Sequence, residues 1–197
     1  MTCENCFGLI TMCIASGAIS LYLFRKYYTE RNKYSLYMAS FFIIDSLGWF
    51  IYFYVSFLNI YEFYRPHTII PVVAAQLILL LFVYSVFNVH KVIRVISVII
   101  VVGIAIIYIL IPDLSYLINF TGFTVAILNI ILFFMNWIKN EDIKSLGFVN
   151  GLIFITIGEV IGYYSLFVEG IFLVIAAAIW LITFSGVLER IIGKLES

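Results

Sequence analysis

An all-α integral membrane fold with seven transmembrane helices is predicted by three features of the sequence: its hydropathy, the lengths of its apolar runs, and the alternation of charge between them. Of the 197 residues, 64% are hydrophobic and the mean hydropathy is +1.15, above what a soluble domain of this size carries. Seven apolar runs, at 6–24, 35–58, 68–89, 95–112, 116–138, 146–167 and 170–188, each approach the ~20 residues a helix needs to cross the hydrocarbon core. The segments between them are short, so residues 1–197 read as a single transmembrane domain.

Charge sets the orientation. Arg25, Lys26, Arg31, Lys33, Lys91, Arg94, Lys139, Lys144, Arg190 and Lys194 follow the odd-numbered runs, whereas the even-numbered connections hold only Arg65 beside Glu62, Asp113 and Glu169. Lys and Arg are retained on the cytoplasmic side, which places the N-terminus outside and the C-terminus in the cytoplasm of a plasma-membrane protein. The formal net charge is +0 and no basic tract occurs, which argues against a nucleic-acid partner.

The first run is preceded by Glu4 and no cation, and followed by Arg25 and Lys26. That is the reverse of a cleaved signal peptide, so the run is expected to be retained. Cys3-Glu-Asn-Cys6, ahead of it on the outer side, has the spacing of a disulfide or of a thiol-exchange pair. Cys13 lies about 10 Å further along a helix, too far to bridge, and no second cysteine pair exists to relay electrons. The expectation is a structural disulfide or two idle thiols, and a protein that is not an enzyme.

In the second run, Phe41, Asp45, Gly48 and Tyr52 fall on one helical face, with Asp45 near the bilayer midplane. Gly48 admits a neighbouring helix on that face. The third run carries Gln76, Tyr84 and Asn88, and the fifth Asn129. Each reads as an interhelical hydrogen-bond partner or as cavity lining. The fourth run is apolar all round and is expected to face lipid. In the sixth, Gly147, Gly151, Gly158 and Gly162 are spaced 4, 7 and 4, a stripe that predicts close helix packing. Glu159 borders the stripe, with Thr156 and Tyr163 one turn to either side. The seventh contributes Thr183 and Ser185.

Asp45-x-x-Gly48-Trp49-Phe50 is echoed by Glu159-x-x-Gly162-Tyr163-Tyr164. If runs 1–3 match runs 5–7 around the fourth, the architecture is a 3+1+3 parallel repeat; the other reading is chance similarity between apolar segments. A carboxyl group inside a membrane costs about 2.5–3.5 kcal/mol on insertion scales, so two at matching places suggest a use. No cation lies at their depth, so each favours its neutral form until water or a cation reaches it. The functional expectation is a protein that binds or transports a small solute or protons at a midplane site formed by Asp45 and Glu159, with Gln76, Tyr52, Thr156 and Tyr163 around them. The structural alternative is two neutral acids hydrogen-bonded across helix interfaces.

His67 and His90 lie on opposite sides, so no metal site and no cofactor are expected. Seven helices with an external N-terminus are similar in layout to retinal proteins and to sugar transporters built as 3+1+3 repeats. A retinal protein needs a lysine in the seventh helix, and Ile171 to Val187 contains none. Those transporters carry prolines inside the helices of each half, whereas Pro66, Pro71 and Pro112 read as lying near segment ends. The chain is therefore assigned to no family. Its expected partners are the lipid bilayer and either other membrane subunits or further copies of itself. Two rival functions follow: a non-catalytic subunit of a larger membrane complex, and a sensor that signals through a separate protein.

Overall fold

The computed structural model describes residues 3–58, 64–87, 89–111, 115–162 and 164–187. Through them run seven helices: α1 (Cys6–Glu30), α2 (Lys33–Leu58), α3 (Tyr64–Val86), α4 (Lys91–Leu110), α5 (Ser115–Asn140), α6 (Ile143–Gly162) and α7 (Leu166–Phe184). No strand occurs among the described residues. Five of the helices are long and apolar enough to cross a membrane: α1, α2, α5 over Phe120–Asn140, α6 and α7. The chain is a helical membrane protein on that evidence. Glu62, Asn88, Asp113, Tyr163, Arg190 and Lys194 lie outside the described residues, as do the side chains of Arg65, His67 and Gln76.

Several expected boundaries are corrected. α1 runs on to Glu30 and α5 to Asn140, so Arg25, Lys26 and Lys139 sit on helical ends rather than in loops. Long cationic side chains keep helical backbone while their heads reach toward water. What stops these helices is a residue in the left-handed region, Arg31 at φ 54° and Glu141 at φ 53°. Each begins a two-residue joint, Arg31-Asn32 and Glu141-Asp142. In both joints the second residue turns its side chain onto the next helix. Asn32 Oδ1 accepts from the Tyr34 backbone N–H at 2.9 Å, and Asp142 Oδ1 from that of Lys144 at 3.1 Å. The two joints thus share one stereochemistry, a left-handed residue followed by an Asx turn.

At the other end α6 stops at Gly162 rather than near 167, and Ser165 caps α7 by accepting from the Val168 N–H at 3.4 Å. Glu169, expected in an outer loop, is instead buried in the first turn of α7. Pro71 lies inside α3 rather than at its edge. The ring has room there because α2 presents Gly48 to it, where a Cβ would come within 3.3 Å of Pro71 Cβ. Membrane helices tolerate such a proline when neighbours take up the freed backbone groups. Part of the ground for setting aside the proline-bearing transporters is thereby removed.

Packing follows chain order. α1 lies on α2, α2 on α3, α5 on α6 and α6 on α7, while α3·α5 and α1·α7 contacts join the two sets; α4 touches α3 and α5 from outside. α4 buries Val101 while Val92, Ile93, Ile99 and Ile106 are exposed, which suits a lipid-facing helix. The four glycines of α6 all face α7. A Cβ at Gly158 would meet Phe172 Cβ at 2.9 Å, and one at Gly162 the Glu169 carboxyl at 2.8 Å. At Gly147 it would run into Thr183, and at Gly151 into the indole of Trp180. Trp180 donates its Nε1–H to the Phe148 carbonyl at 3.1 Å, so the close approach also satisfies the buried indole. Gly8 and Gly170 make a similar crossing between α1 and α7, where a Cβ on Gly8 would lie 2.6 Å from the Gly170 Cα.

Inside, Phe41, Phe42, Phe133, Phe148, Trp180 and Phe184 form one aromatic cluster. Phe42 meets Trp180 edge to face at 5.1 Å, and Phe148 stacks on Trp180 at 5.4 Å. The cluster occupies the half of the bundle nearer the joints.

Gly151→Ala is expected to destabilise the protein by about 1–3 kcal/mol, because the methyl has no space against Trp180. Gly103→Ala, on α4 with nothing near its Cβ, should be neutral or slightly stabilising. Thermal unfolding in detergent, followed by tryptophan fluorescence, compares the two.

Candidate functional site

The stripes that build the core also deliver the carboxyl groups. On α2, Met38, Phe42, Asp45 and Trp49 recur at i, i+4, i+7 and i+11; on α6, Phe148, Leu152, Ile155 and Glu159 do the same. All except the two acids belong to the hydrophobic core. Asp45 and Glu159 therefore occupy positions that continue core-facing stripes. Asp45 is partly buried and Glu159 exposed, while Asn5 and Glu169 beyond it are buried.

Each acid has different surroundings. Asp45 Oδ2 accepts from Ser16 Oγ at 2.7 Å and from Trp49 Nε1 at 3.0 Å. The first of these is one rung of an α1–α2 ladder, whose others are Ser46 Oγ donating to the Cys13 carbonyl at 2.8 Å and Ser20 Oγ to the Ala39 carbonyl at 2.9 Å. Interhelical hydrogen bonds of this kind hold helices where water is absent. Glu169 Oε2 accepts from Asn5 Nδ2 at 3.0 Å, and both residues are buried. Asn5 stands between Cys3 and Cys6, which are joined by a disulfide with Cα atoms 5.3 Å apart. The disulfide closes the turn that carries Asn5 onto α7. Glu159 accepts no hydrogen bond from a described residue, yet it is within electrostatic reach of both Glu169 and Asp45.

Glu159 and Glu169 thus lie toward the end of the bundle opposite the two joints, with Asp45 deeper, at the middle of α2. Like charges in a poorly screened interior repel, and a proton or cation arriving near them is stabilised. Among the described residues no group of three or more His, Cys, Asp and Glu has the arrangement of a metal centre.

Other expected site residues fall into place around this cluster to different degrees. Tyr52 stacks on Trp49 at 6.2 Å, one turn beyond Asp45. Thr156 donates to the carbonyl of Leu152 at 2.9 Å, so its hydroxyl proton is engaged on its own helix. Gln76 is placed on α3 without a described side chain, and Tyr163 is not described. The midplane expectation is corrected for Glu159. Asp45 is the thirteenth residue of α2, but Glu159 is the seventeenth of α6 and lies in its last turn. Relative to the joints the sequence echo is out of register by one helical turn, about 6 Å.

No protein-family model, curated protein or solved structure matches the chain. The site must therefore be judged by its own chemistry.

Sequence reasoning missed Ser16, Asn5 and Glu169. Ser16 carried a signal, since with Cys13, Gly17 and Ser20 it makes a small-residue face on α1. Asn5 and Glu169 lie 164 residues apart and only the α1–α7 crossing joins them. Ser16→Ala should cost about 1–3 kcal/mol by leaving the partly buried Asp45 carboxyl short of a donor, and Asn5→Ala a similar amount at Glu169. Melting temperatures of the single variants and of the double variant check this. The double loss should be near the sum, because the two bonds lie on different helix pairs.

Proposed function

We propose that this chain is a seven-crossing protein of the plasma membrane, with its N-terminus outside, that binds and moves protons or a small cationic solute through the acidic cluster. The observation that carries the reading is Glu159: a carboxyl group on a core-facing stripe, accepting no hydrogen bond from a described residue, within electrostatic reach of Asp45 and Glu169. A carboxyl group placed only to fasten helices would be expected to have a donor, as Asp45 and Glu169 do. On this reading Glu159 takes the cation, Asp45 is the deeper acceptor, and the aromatic cluster is the barrier the cation must pass.

A 3+1+3 parallel repeat supports such a role, because repeat-built transporters place their sites between the halves. Three features favour it: the matching joints at Arg31-Asn32 and Glu141-Asp142, the peripheral α4, and a pairing pattern of the other six helices that is unchanged when α1–α3 are exchanged with α5–α7. The register of the carboxyl groups does not follow that of the joints, so the halves would have diverged at the site.

A second reading, a non-catalytic subunit of a membrane assembly, is favoured by the apolar exposed length of α4, which offers a surface to another membrane helix as readily as to lipid. Purification in mild detergent separates the two, since a subunit brings a fixed set of partners with it.

In liposomes with an entrapped pH indicator, Glu159→Gln should abolish proton movement under an imposed pH gradient and Asp45→Asn should reduce it at least tenfold. Unchanged flux in both variants would remove the reading. Topology reporters fused at the two ends should lie on opposite sides, with the C-terminal one in the cytoplasm.

A further inference from the structure

The end of the bundle remote from the acidic cluster holds a second polar feature. A cavity of about 230 Å³ lies where the two joints converge, with Lys26 of α1, Asn32, Tyr34 and Ser35 on one side, Asp142 and Lys144 on the other, and Phe184 of α7 closing it toward the aromatic cluster. Neither joint forms it alone. It appears because the α1–α2 and α5–α6 turns end at the same level.

Its lining offers mainly donors. Lys26 and Lys144 bring two ammonium groups, Ser35 a hydroxyl and Asn32 an amide NH2, the Asn32 Oδ1 being taken by the Tyr34 backbone. Asp142 is the one acid among the lining residues, and both its oxygens already accept, Oδ1 from the Lys144 backbone and Oδ2 from Ser145 Oγ at 2.7 Å. Lys26 is paired with Glu30 at 3.7 Å, a loose i,i+4 contact at an exposed edge that leaves two of its protons for another partner. The Tyr34 hydroxyl is buried and has no hydrogen-bond partner among the described residues. Such a group is uncommon in a native interior and calls for an acceptor. A site rich in donors with two lysines suits a compact, acceptor-rich anion.

We propose that this cavity binds a phosphate group, with Lys26 and Lys144 neutralising it and Tyr34 donating to one of its oxygens. The phosphate belongs either to a free small anion or to the headgroup of an anionic phospholipid, and the cavity's place at the end of the helices allows both. The site is separate from the acidic cluster and does not depend on the transport reading.

The purified full-length chain is followed by thermal unfolding, first in detergent with and without inorganic phosphate, at ionic strength held constant with chloride, then in nanodiscs of phosphatidylcholine with and without phosphatidic acid. Wild type should be stabilised in at least one arm. A response to inorganic phosphate identifies a small-anion site, and a response to phosphatidic acid alone identifies a headgroup site. Lys26→Met and Lys144→Met should each weaken the apparent affinity about tenfold, as expected for a lost charge-assisted hydrogen bond. Lys91→Met, an exposed lysine at the same end but outside the cavity, should respond as wild type does.

Tyr34→Phe gives a second readout that a merely structural role would not produce. Without the anion it should raise the melting temperature by on the order of 2–4 °C, since an unpartnered hydroxyl is removed. With the anion it should gain less stability than wild type. The proposal is overturned if neither probe stabilises the protein, if the Lys26 and Lys144 variants respond as Lys91→Met does, or if Tyr34→Phe lowers the melting temperature in the absence of both probes.

Discussion

The contact between the glycine stripe of α6 and the face of α7 that bears Trp180 and Thr183 is the one on which most of this structure rests. Between membrane helices burial of apolar surface contributes little, because lipid is as apolar as leucine, so close packing and hydrogen bonds must do the holding. Gly151 lets the indole of Trp180 approach until its N–H reaches the Phe148 carbonyl, which brings Phe148 and Trp180 face to face and seats Phe41, Phe42 and Phe184 around them. The same stripe, about three turns further on, sets Gly162 beside the carboxyl of Glu169. One geometric constraint therefore governs both the aromatic core and the placement of a buried acid.

The molecule is chemically polar along its axis. Toward one end Glu159 and Glu169 lie near a disulfide-closed turn, with Asp45 deeper; at the other, two lysines and Tyr34 line a cavity between two matching joints. Aromatic packing lies between the two. The link from Asn5 to Glu169 also ties the first turn of α1 to the first turn of α7, so a change in either helix is felt at the acidic cluster.

Much of this was legible in the chain. The apolar runs located the helices because a bilayer demands about 20 residues of continuous apolar helix whatever the tertiary contacts. The spacing of Gly147, Gly151, Gly158 and Gly162 identified a packing face because helical period alone puts them in line. The boundaries at the joints were not legible. Neither Arg31 nor Glu141 has a preference for the left-handed region strong enough to be read from its type, and it is the Asx turn that follows which settles the stop. The echo of Asp45 by Glu159 was legible as letters, but its register was not, since the offset appears only when both helices are measured from their joints.

What the sequence determined by itself is the class of the protein and the faces of its helices: a helical membrane protein with a carboxyl group on each of two inward stripes and a glycine seam on α6. These follow from composition and period, which are local. Which acid is satisfied and which is left open was decided only by the tertiary structure. Ser16 comes from another helix to Asp45, Asn5 comes from 164 residues away to Glu169, and no donor among the described residues comes to Glu159. A hydrogen bond depends on where two chain segments end up to within a fraction of an ångström, and no periodicity in either segment encodes that distance.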